Sequence, residues 1–238
     1  MKQLLLSAVA VCSLVALFGC NNRGEVQTLQ PVQAAELKPM QQSYKGLLPC
    51  ADCAGIETSL FLEKDGTWVL DQRYQEAKSP AVFASYGSWV RTADKLVLTE
   101  SDGEKLYFRP EADGLEMLDR EGNPVESQFD YTLKPTKDAL PATPMAMKGM
   151  YKYMADAAIF QDCATGRTFA VASNADLERG YAAARGKDAQ PVLLKIEAHF
   201  MLQASPDSGE LQKTLVADKS AKFEAGKNCS DLTSPAIG

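Results

Sequence analysis

Residues 58–74 read TSLFLEKDGTWVLDQRY, two short apolar-rich runs on either side of Asp65-Gly66. Short runs rich in β-branched and aromatic residues are typical of strands, and Asp-Gly is a hairpin signal because glycine accepts the positive φ of a tight turn. The stretch therefore predicts a hairpin whose strands cover Thr58–Glu63 and Thr67–Tyr74.

Similar runs recur about every ten residues from Tyr44 to Leu133, with further turn signals at Asp102-Gly103 and Asp113-Gly114. No part of this region has a convincing helical period. Many short antiparallel strands favour an up-and-down β-barrel or a sandwich, and closure into a barrel is the simpler way to remove exposed edges. The other predicted strands are Gly87–Arg91, Lys95–Thr99, Lys105–Arg109, Leu115–Asp119 and Phe129–Leu133.

The sequence after Gly149 has a different order of elements, three strands, a helix and two strands. This is the order of the OB-fold, a five-stranded barrel, so the chain as a whole is predicted to be mainly all-β. Alternate residues from Leu194 to Phe200 are apolar and share one face of their strand. Ser173 is the predicted N-cap of the helix and Gly186 its terminator. The predicted elements are strands Gly149–Met154, Ala158–Asp162, Thr168–Ala172, Val192–Gln203 and Leu211–Asp218, and helix Leu177–Arg185.

Proline-rich sequence separates the two units. Residues 134–148 read KPTKDALPATPMAMK, and proline removes backbone donors and favours extended structure. We therefore predict an N-terminal barrel at 43–134, a linker at 135–147 and an OB-like domain at 148–238.

The N-terminus has the pattern of an export signal. Lys2 precedes an apolar run from Leu4 to Phe18, which is too short to span a bilayer comfortably, and Gly19-Cys20 ends the run. We predict a cleaved signal peptide at 1–19, lipid modification of Cys20 and a polar tether over 20–42. The alternative is an ordinary secretory signal with a chance cysteine.

Charge and motifs exclude several functions. The net charge of −6 repels nucleic acid and gains nothing from anionic lipid. The sequence contains no GxSxG, no HExxH and no phosphate-binding loop, and it has a single histidine. We therefore predict no enzymatic activity and no nucleic-acid partner.

Four cysteines remain after the signal peptide and the lipidated residue are set aside. An even number in an oxidising compartment predicts disulfides, and each candidate pair falls within one domain. The predicted pairs are Cys50 with Cys53 and Cys163 with Cys229. The second pair is either a purely structural disulfide or a redox switch. Its loss would matter in both cases, because closing so long a loop stabilises a domain by on the order of 4 kcal/mol.

The Cys50–Cys53 motif has three interpretations: a local disulfide, a thiol-disulfide catalyst or a soft-metal site. A catalyst needs a stabilised thiolate, and Asp52 between the cysteines opposes one. The reduced pair suits Cu(I), whereas the oxidised pair cannot bind it. We predict a structural disulfide, with Cys50 and Cys53 as candidate copper ligands and no other cofactor.

Two further features are weaker metal candidates. Met145, Met147, Met150 and Met154 carry thioethers that Cu(I) accepts, but methionine also fills gaps where elements pack, and we predict that role. His199 lies on the polar face of its strand and is predicted to be exposed and without a ligand function.

The block LPCADCAGIET at 48–58, followed by DGTW at 65–68, resembles the NlpE family of outer-membrane lipoproteins, also called CutF. The resemblance covers nearly the whole chain and implies a lipocalin-like N-terminal barrel. It also implies an outer-membrane anchor through Cys20, facing the periplasm, because Asn21 is not the aspartate that retains lipoproteins at the inner membrane.

The same resemblance implies a sensor of envelope stress and surface contact. Such proteins activate the Cpx response through the periplasmic domain of its sensor kinase when lipoprotein sorting or disulfide formation fails, and they are linked to adhesion and copper. The lipoprotein-sorting machinery is then a second partner. Two other functions stay open: copper homeostasis through the CxxC motif, and transport of a small apolar ligand in the barrel.

Overall fold

A computed structural model describes residues 42–76, 81–206 and 208–232 of the chain. The predicted signal peptide at 1–19, Cys20 and all of the predicted tether except its last residue lie outside these ranges. Among the residues that are described, no helix is both long and apolar enough to cross a membrane.

Eight strands form the N-terminal barrel in the described part of residues 42–136. Each strand pairs antiparallel with the next, and the eighth returns to the first. The predicted up-and-down barrel is therefore confirmed. The strands are β1 Gln42–Leu48, β2 Gly55–Leu62, β3 Thr67–Gln75, β4 Val82–Arg91, β5 Leu96–Glu100, β6 Lys105–Glu111, β7 Gly114–Met117 and β8 Thr132–Thr136.

Trp68 at the start of β3 is the largest fully buried side chain of this barrel. Its indole Nε1 donates to the carbonyl oxygens of Ser88, at 3.0 Å, and Thr99, at 3.3 Å. A buried indole needs such an acceptor. Gly87 lies opposite Trp68 in β4, and a Cβ there would lie 1.8 Å from the Thr99 carbonyl oxygen. The close approach of β4 and β5 therefore requires glycine at position 87.

Two predicted strand boundaries are wrong because aspartate side chains form turns there. The strand predicted over Leu115–Asp119 ends at Met117, since the Asp119 carboxylate accepts from two backbone N–H groups in the following turn. The strand predicted over Phe129–Leu133 begins at Thr132, whose N–H donates to the Asp130 carboxylate.

The connection between the domains is shorter than the predicted linker over 135–147. Pro135 and Thr136 belong to β8, where Pro135 lies opposite Tyr44 of β1 and the Ser43 hydroxyl donates to the Thr136 carbonyl oxygen. Met145 begins the next strand. Barrel closure therefore extends the strand past a proline, and only residues 137–144 lie between strands.

Five strands after residue 144 form a second closed barrel within the described residues, in the order β10-β11-β13-β12-β9. Its third and fifth strands, β11 and β13, pair in parallel, and the other pairs are antiparallel. The predicted OB-fold is confirmed. Its elements are β9 Met145–Met154, β10 Ala157–Asp162, β11 Thr168–Val171, α1 Ala175–Ala184, β12 Val192–Ala204, β13 Leu211–Glu224 and a short 3-10 helix Cys229–Leu232.

The OB core contains the predicted apolar face of β12 and two of the methionines. Alternate residues from Leu194 to Phe200 are buried, as are Met145 and Met147. Met154, by contrast, is exposed. The prediction that methionine fills gaps at this junction is therefore confirmed for Met145 and Met147.

His199 is not exposed as predicted. Its side chain is largely covered, and Nδ1 lies 2.9 Å from both carboxylate oxygens of Asp218 on the neighbouring strand β13. Cross-strand pairing brings the acidic partner from nineteen positions away, which the strand pattern alone did not indicate.

Asn174, rather than the predicted Ser173, caps helix α1. Asn174 has an extended backbone, and its side-chain oxygen accepts from the N–H groups of Asp176, at 3.0 Å, and Leu177, at 3.1 Å. The helix ends at Ala184, and the N–H of Arg185 donates to the Tyr181 carbonyl oxygen. Gly186 is therefore not the terminator.

Replacing the cap provides a local test. Asn174→Ala should lower the free energy of unfolding of the OB domain by about 1 kcal/mol, because two helix N–H groups lose their acceptor. Ser173→Ala is the matched control and should change it by less than about 0.5 kcal/mol. Urea denaturation of both variants distinguishes the two caps, and equal losses would contradict the assignment to Asn174.

Candidate functional site

The Cys50–Cys53 pair lies in the loop between β1 and β2. The two sulfurs are joined in a disulfide, and the Cα atoms are 5.3 Å apart. The ligand atoms of Cys50, Asp52 and Cys53 lie within 4.8 Å of one another, the arrangement a metal site would need. Both sulfurs are bonded to each other, however, so neither is a thiolate. In this oxidation state the donor set does not fit Cu(I), and the pair closes the loop.

The second disulfide joins Cys163 and Cys229 across 66 residues. Cys163 directly follows β10, and its N–H donates to the Lys148 carbonyl oxygen of β9 at 2.9 Å. Cys229 begins the 3-10 helix near the C-terminus. The bond therefore fastens the last described segment of the chain to the β9–β10 hairpin.

Asp162 connects the turn at Cys163 with the first barrel. The Asp162 side chain is 1% exposed. One carboxylate oxygen accepts from the N–H and hydroxyl of Thr165, both at 2.7 Å, and so fixes the turn that contains Cys163. The other accepts from the Tyr86 hydroxyl of β4 at 2.7 Å. A buried hydrogen bond thus runs from the residue next to the disulfide to the N-terminal barrel.

The Tyr86 hydroxyl is a firm donor to this carboxylate. Burial raises the pKa of Tyr86 well above its usual range, and the negative charge of Asp162 raises it further. The phenol therefore keeps its proton throughout the physiological range. Removing a partner from so buried a hydrogen bond leaves a desolvated group unpaired, which costs about 1–3 kcal/mol.

Aromatic and apolar side chains surround this hydrogen bond. Phe61, Val69 and Tyr86 point outward from β2, β3 and β4 and belong to the same buried cluster as the OB core. The Tyr86 and Phe200 rings meet edge-on with centroids 6.2 Å apart. The part of the first barrel's outer wall formed by these three residues is therefore covered by the second barrel.

Lys213 of β13 makes the main ionic contact between the barrels. Its Nζ lies 2.8 Å from the Asp65 carboxylate and donates to the Thr67 hydroxyl, both in the first barrel. The same ammonium lies 5.0 and 4.8 Å from the ring centroids of Phe169 and Phe200, positions that give cation–π attraction. The Lys213 side chain is only 7% exposed, so these partners replace most of its water.

Asp65 responds electrostatically to this contact. Burial acts to raise the pKa of its carboxyl, but the Lys213 ammonium and the hydrogen bonds from Lys213 and Thr67 outweigh burial, and the pKa is lowered. Asp65 is therefore held ionised opposite Lys213.

The segment 137–144 is also held in place. The Thr143 hydroxyl donates to the Asp71 carboxylate of β3 at 2.5 Å, and Leu140 packs against the cluster that both barrels share. This part of the predicted proline-rich linker is thus fixed along the first barrel while the two barrels are together.

Sequence reasoning identified the four cysteines but missed the residues between the barrels. Tyr86 and Asp162 are 76 positions apart, and Lys213 and Thr67 are 146 apart, so no local pattern relates them. The Asp65-Gly66 turn signal is the local feature of the sequence that marks one side of this contact.

Two family models match the two barrels. The model of the NlpE N-terminal domain matches residues 44–128, and that of the NlpE C-terminal OB domain matches residues 141–230. The lipoprotein NlpE of Escherichia coli strain K12 is 62% identical over 232 residues, which are 97% of this chain and 98% of the relative. The chain belongs to the NlpE family.

A crystal structure described as that of the Cpx pathway activator NlpE from Escherichia coli is 61% identical. It covers 80% of this chain and 99% of its own, with a TM-score of 0.41. Neither matched NlpE model describes a catalytic domain, in agreement with the prediction that the chain is not an enzyme. The relative is a lipoprotein and therefore belongs to the cell envelope.

Proposed function

We propose that this chain is a lipid-anchored activator of the Cpx envelope-stress pathway, acting on the periplasmic domain of the Cpx sensor kinase. The observation that carries the proposal is 62% identity, over nearly the full length, to NlpE of Escherichia coli, a protein described as the Cpx pathway activator. Cys20 carries the lipid, and the protein is held at the outer membrane facing the periplasm.

The anchor sets the distance to the kinase. A random-coil chain of 23 residues, the number in the predicted tether over 20–42, spans on average roughly 25–30 Å. From the outer membrane this length keeps the first barrel away from a kinase in the inner membrane. When the sorting machinery fails, the same tether brings the barrel close to the kinase, so that mislocalisation itself becomes the signal.

Redox stress acts through the second barrel in this proposal. Segment 137–144 follows the first barrel in the chain, so releasing this segment does not change the distance that the tether allows between Cys20 and the first barrel. Loss of the Cys163–Cys229 bond instead loosens the OB domain and uncovers the wall that carries Phe61 and Tyr86. A newly exposed apolar surface of this kind is what a protein partner binds.

Copper stress would require a chemical change at the CxxC loop. A dithiol reductant converts the Cys50–Cys53 bond to two thiols and is itself oxidised to a disulfide; the two thiols beside the Asp52 carboxylate give up their protons on binding Cu(I), which thiolates suit. The reduced chain should then take up Cu(I) stoichiometrically, and the double variant Cys50→Ser, Cys53→Ser should not. Uptake that survives this variant would place the copper elsewhere.

Moving the anchor tests the main proposal. Asn21→Asp should retain the lipoprotein at the inner membrane and raise expression of a Cpx-controlled reporter above wild type at equal protein level. Asn21→Gln is the matched control, since it adds no retention charge, and should leave both location and reporter unchanged. Membrane fractionation and reporter activity are measured together. A retained Asn21→Asp protein with baseline reporter activity would rule out activation by proximity.

A further inference from the structure

A groove of about 580 Å³ lies where the first barrel, segment 137–144 and the OB domain meet. The start of β1, the ends of β2 and β8 and residues of β12 form its walls. Its apolar lining includes Phe61, Leu140, Met201 and Leu202. Small-molecule sites in proteins have volumes of about 300–1,000 Å³ and mostly apolar walls with a few fixed polar groups.

Glu63 is the fixed polar group of this groove. It directly follows β2 and lines the groove, and the residue is 7% exposed. Its backbone is held on both sides, because its N–H donates to the Thr67 carbonyl oxygen at 2.9 Å and its carbonyl oxygen accepts from Trp89 Nε1 at 3.1 Å. In the part of the chain that the structure describes, the Glu63 carboxylate has no hydrogen bond and no ion pair. Its oxygens are not among the side-chain atoms that are fully shut off from solvent, so they are accessible from the groove.

Nearby charges leave Glu63 uncompensated. Lys213 is the cation that acts on it, but Lys213 is already paired with Asp65 at 2.8 Å. At the rim, Lys137 and Asp138 are both exposed, and their opposite charges cancel. These five groups together carry a net charge of −1, and within the described ranges Glu63 is the one of their three carboxylates that has neither a hydrogen bond nor an ion pair.

We propose that this groove binds a small cationic amphiphile, a protonated amine with an apolar tail. The ammonium pairs with the Glu63 carboxylate, and the tail packs along Met201 and Leu202 of β12. Both of these side chains are partly exposed in the groove, so the tail removes their apolar surface from water.

The ligand would also hold the two barrels together. Glu63 and Phe61 belong to the first barrel, and Met201 and Leu202 belong to the second, so the complete site exists only when the barrels are in contact. A ligand that binds only this arrangement stabilises it by mass action.

Lowering the pH should weaken the binding of the amine. Burial raises the pKa of Glu63, Lys213 lowers it and Asp65 raises it, and the net direction is upward. An ammonium binds the ionised carboxylate, so amine affinity is highest above the raised pKa and falls as the pH is lowered through it.

The test uses the exported chain with Cys20→Ser, which removes acyl chains that would compete for the groove. Octylamine, 1-octanol and octanoate share a tail and differ in head group, and calorimetry measures their binding. We expect octylamine to bind at least tenfold more tightly than 1-octanol, and octanoate more weakly still. Glu63→Gln should weaken octylamine binding roughly 10- to 100-fold, as expected for loss of a charged hydrogen bond, and should abolish its pH dependence.

Asp102→Asn is the matched control, an exposed acid in the turn between β5 and β6 that does not line the groove, and should change octylamine affinity less than threefold. Thermal melting without ligand checks the fold: Glu63→Gln should melt no lower than wild type, because among the described residues the carboxylate makes no hydrogen bond or ion pair that the substitution would remove. Equal binding of octylamine and 1-octanol, unchanged octylamine binding in Glu63→Gln, or no octylamine binding would overturn the proposal.

Discussion

The double variant Cys163→Ser, Cys229→Ser should lose about 4 kcal/mol of unfolding free energy and raise Cpx reporter activity from a correctly sorted protein. The bond closes a loop across 66 residues, and removing it returns that loop-closure entropy to the unfolded chain. The loss is comparable to the whole stability of a small domain. Urea denaturation of the purified chain measures it.

The matched control removes the other disulfide. Cys50→Ser with Cys53→Ser opens a loop across three residues, and the same entropy model gives about 2 kcal/mol for so short a loop. The control leaves Asp162 and the contact between the barrels unchanged, so reporter activity should stay at its wild-type level. Equal reporter responses from the two variants would contradict signalling through the second barrel.

Loss of the long-range disulfide should also loosen segment 137–144. Leu140 packs on the cluster that both barrels share, and Lys137 is an exposed trypsin site in the same segment. Trypsin should therefore cut after Lys137 faster in the Cys163→Ser, Cys229→Ser variant than in wild type or in the control. An unchanged cleavage rate would mean that the barrels stay together without the bond.

Lys213→Ala should cost about 3 kcal/mol of unfolding free energy, at the lower end of the range for breaking a buried ion pair. The substitution removes the ion pair to Asp65, the hydrogen bond to Thr67 and the cation contacts with Phe169 and Phe200. Lys134→Ala is the matched control, because Lys134 pairs with an exposed aspartate on the barrel surface. Exposed pairs contribute about 0–1 kcal/mol, so the control should lose little.

The pH dependence of the unfolding free energy distinguishes the ionic contribution of Lys213 from its packing contribution. The pKa of Asp65 is lowered in the folded state, so its contribution is fully present above its ordinary value of 3.8 and is lost as the pH falls through the lowered value. Lys213→Ala should remove this part of the acid sensitivity, and the gap between wild type and variant should narrow toward low pH. A gap that stays constant from pH 7 to pH 3 would assign the loss to packing alone.

Local patterns predicted the secondary structure well. The hairpin around Asp65-Gly66 and the apolar face of β12 are sequence features of neighbouring residues, and both appear in the fold. Errors arose where two neighbouring residues could fill the same role, as with Ser173 and Asn174 at the helix cap. Both residue types are good caps, and the backbone conformation selected one of them.

The sequence by itself determined two β-barrels, their connection by a proline-rich segment and four cysteines available for pairing within domains. The tertiary structure alone decided that Asp162 beside Cys163 accepts from Tyr86, that Lys213 reaches Asp65, and that Glu63 lines a groove with no partner among the described residues. The physical reason is range. Strands and turns follow from interactions between neighbours in the chain, whereas a charge between two barrels is paired or unpaired according to residues more than a hundred positions away.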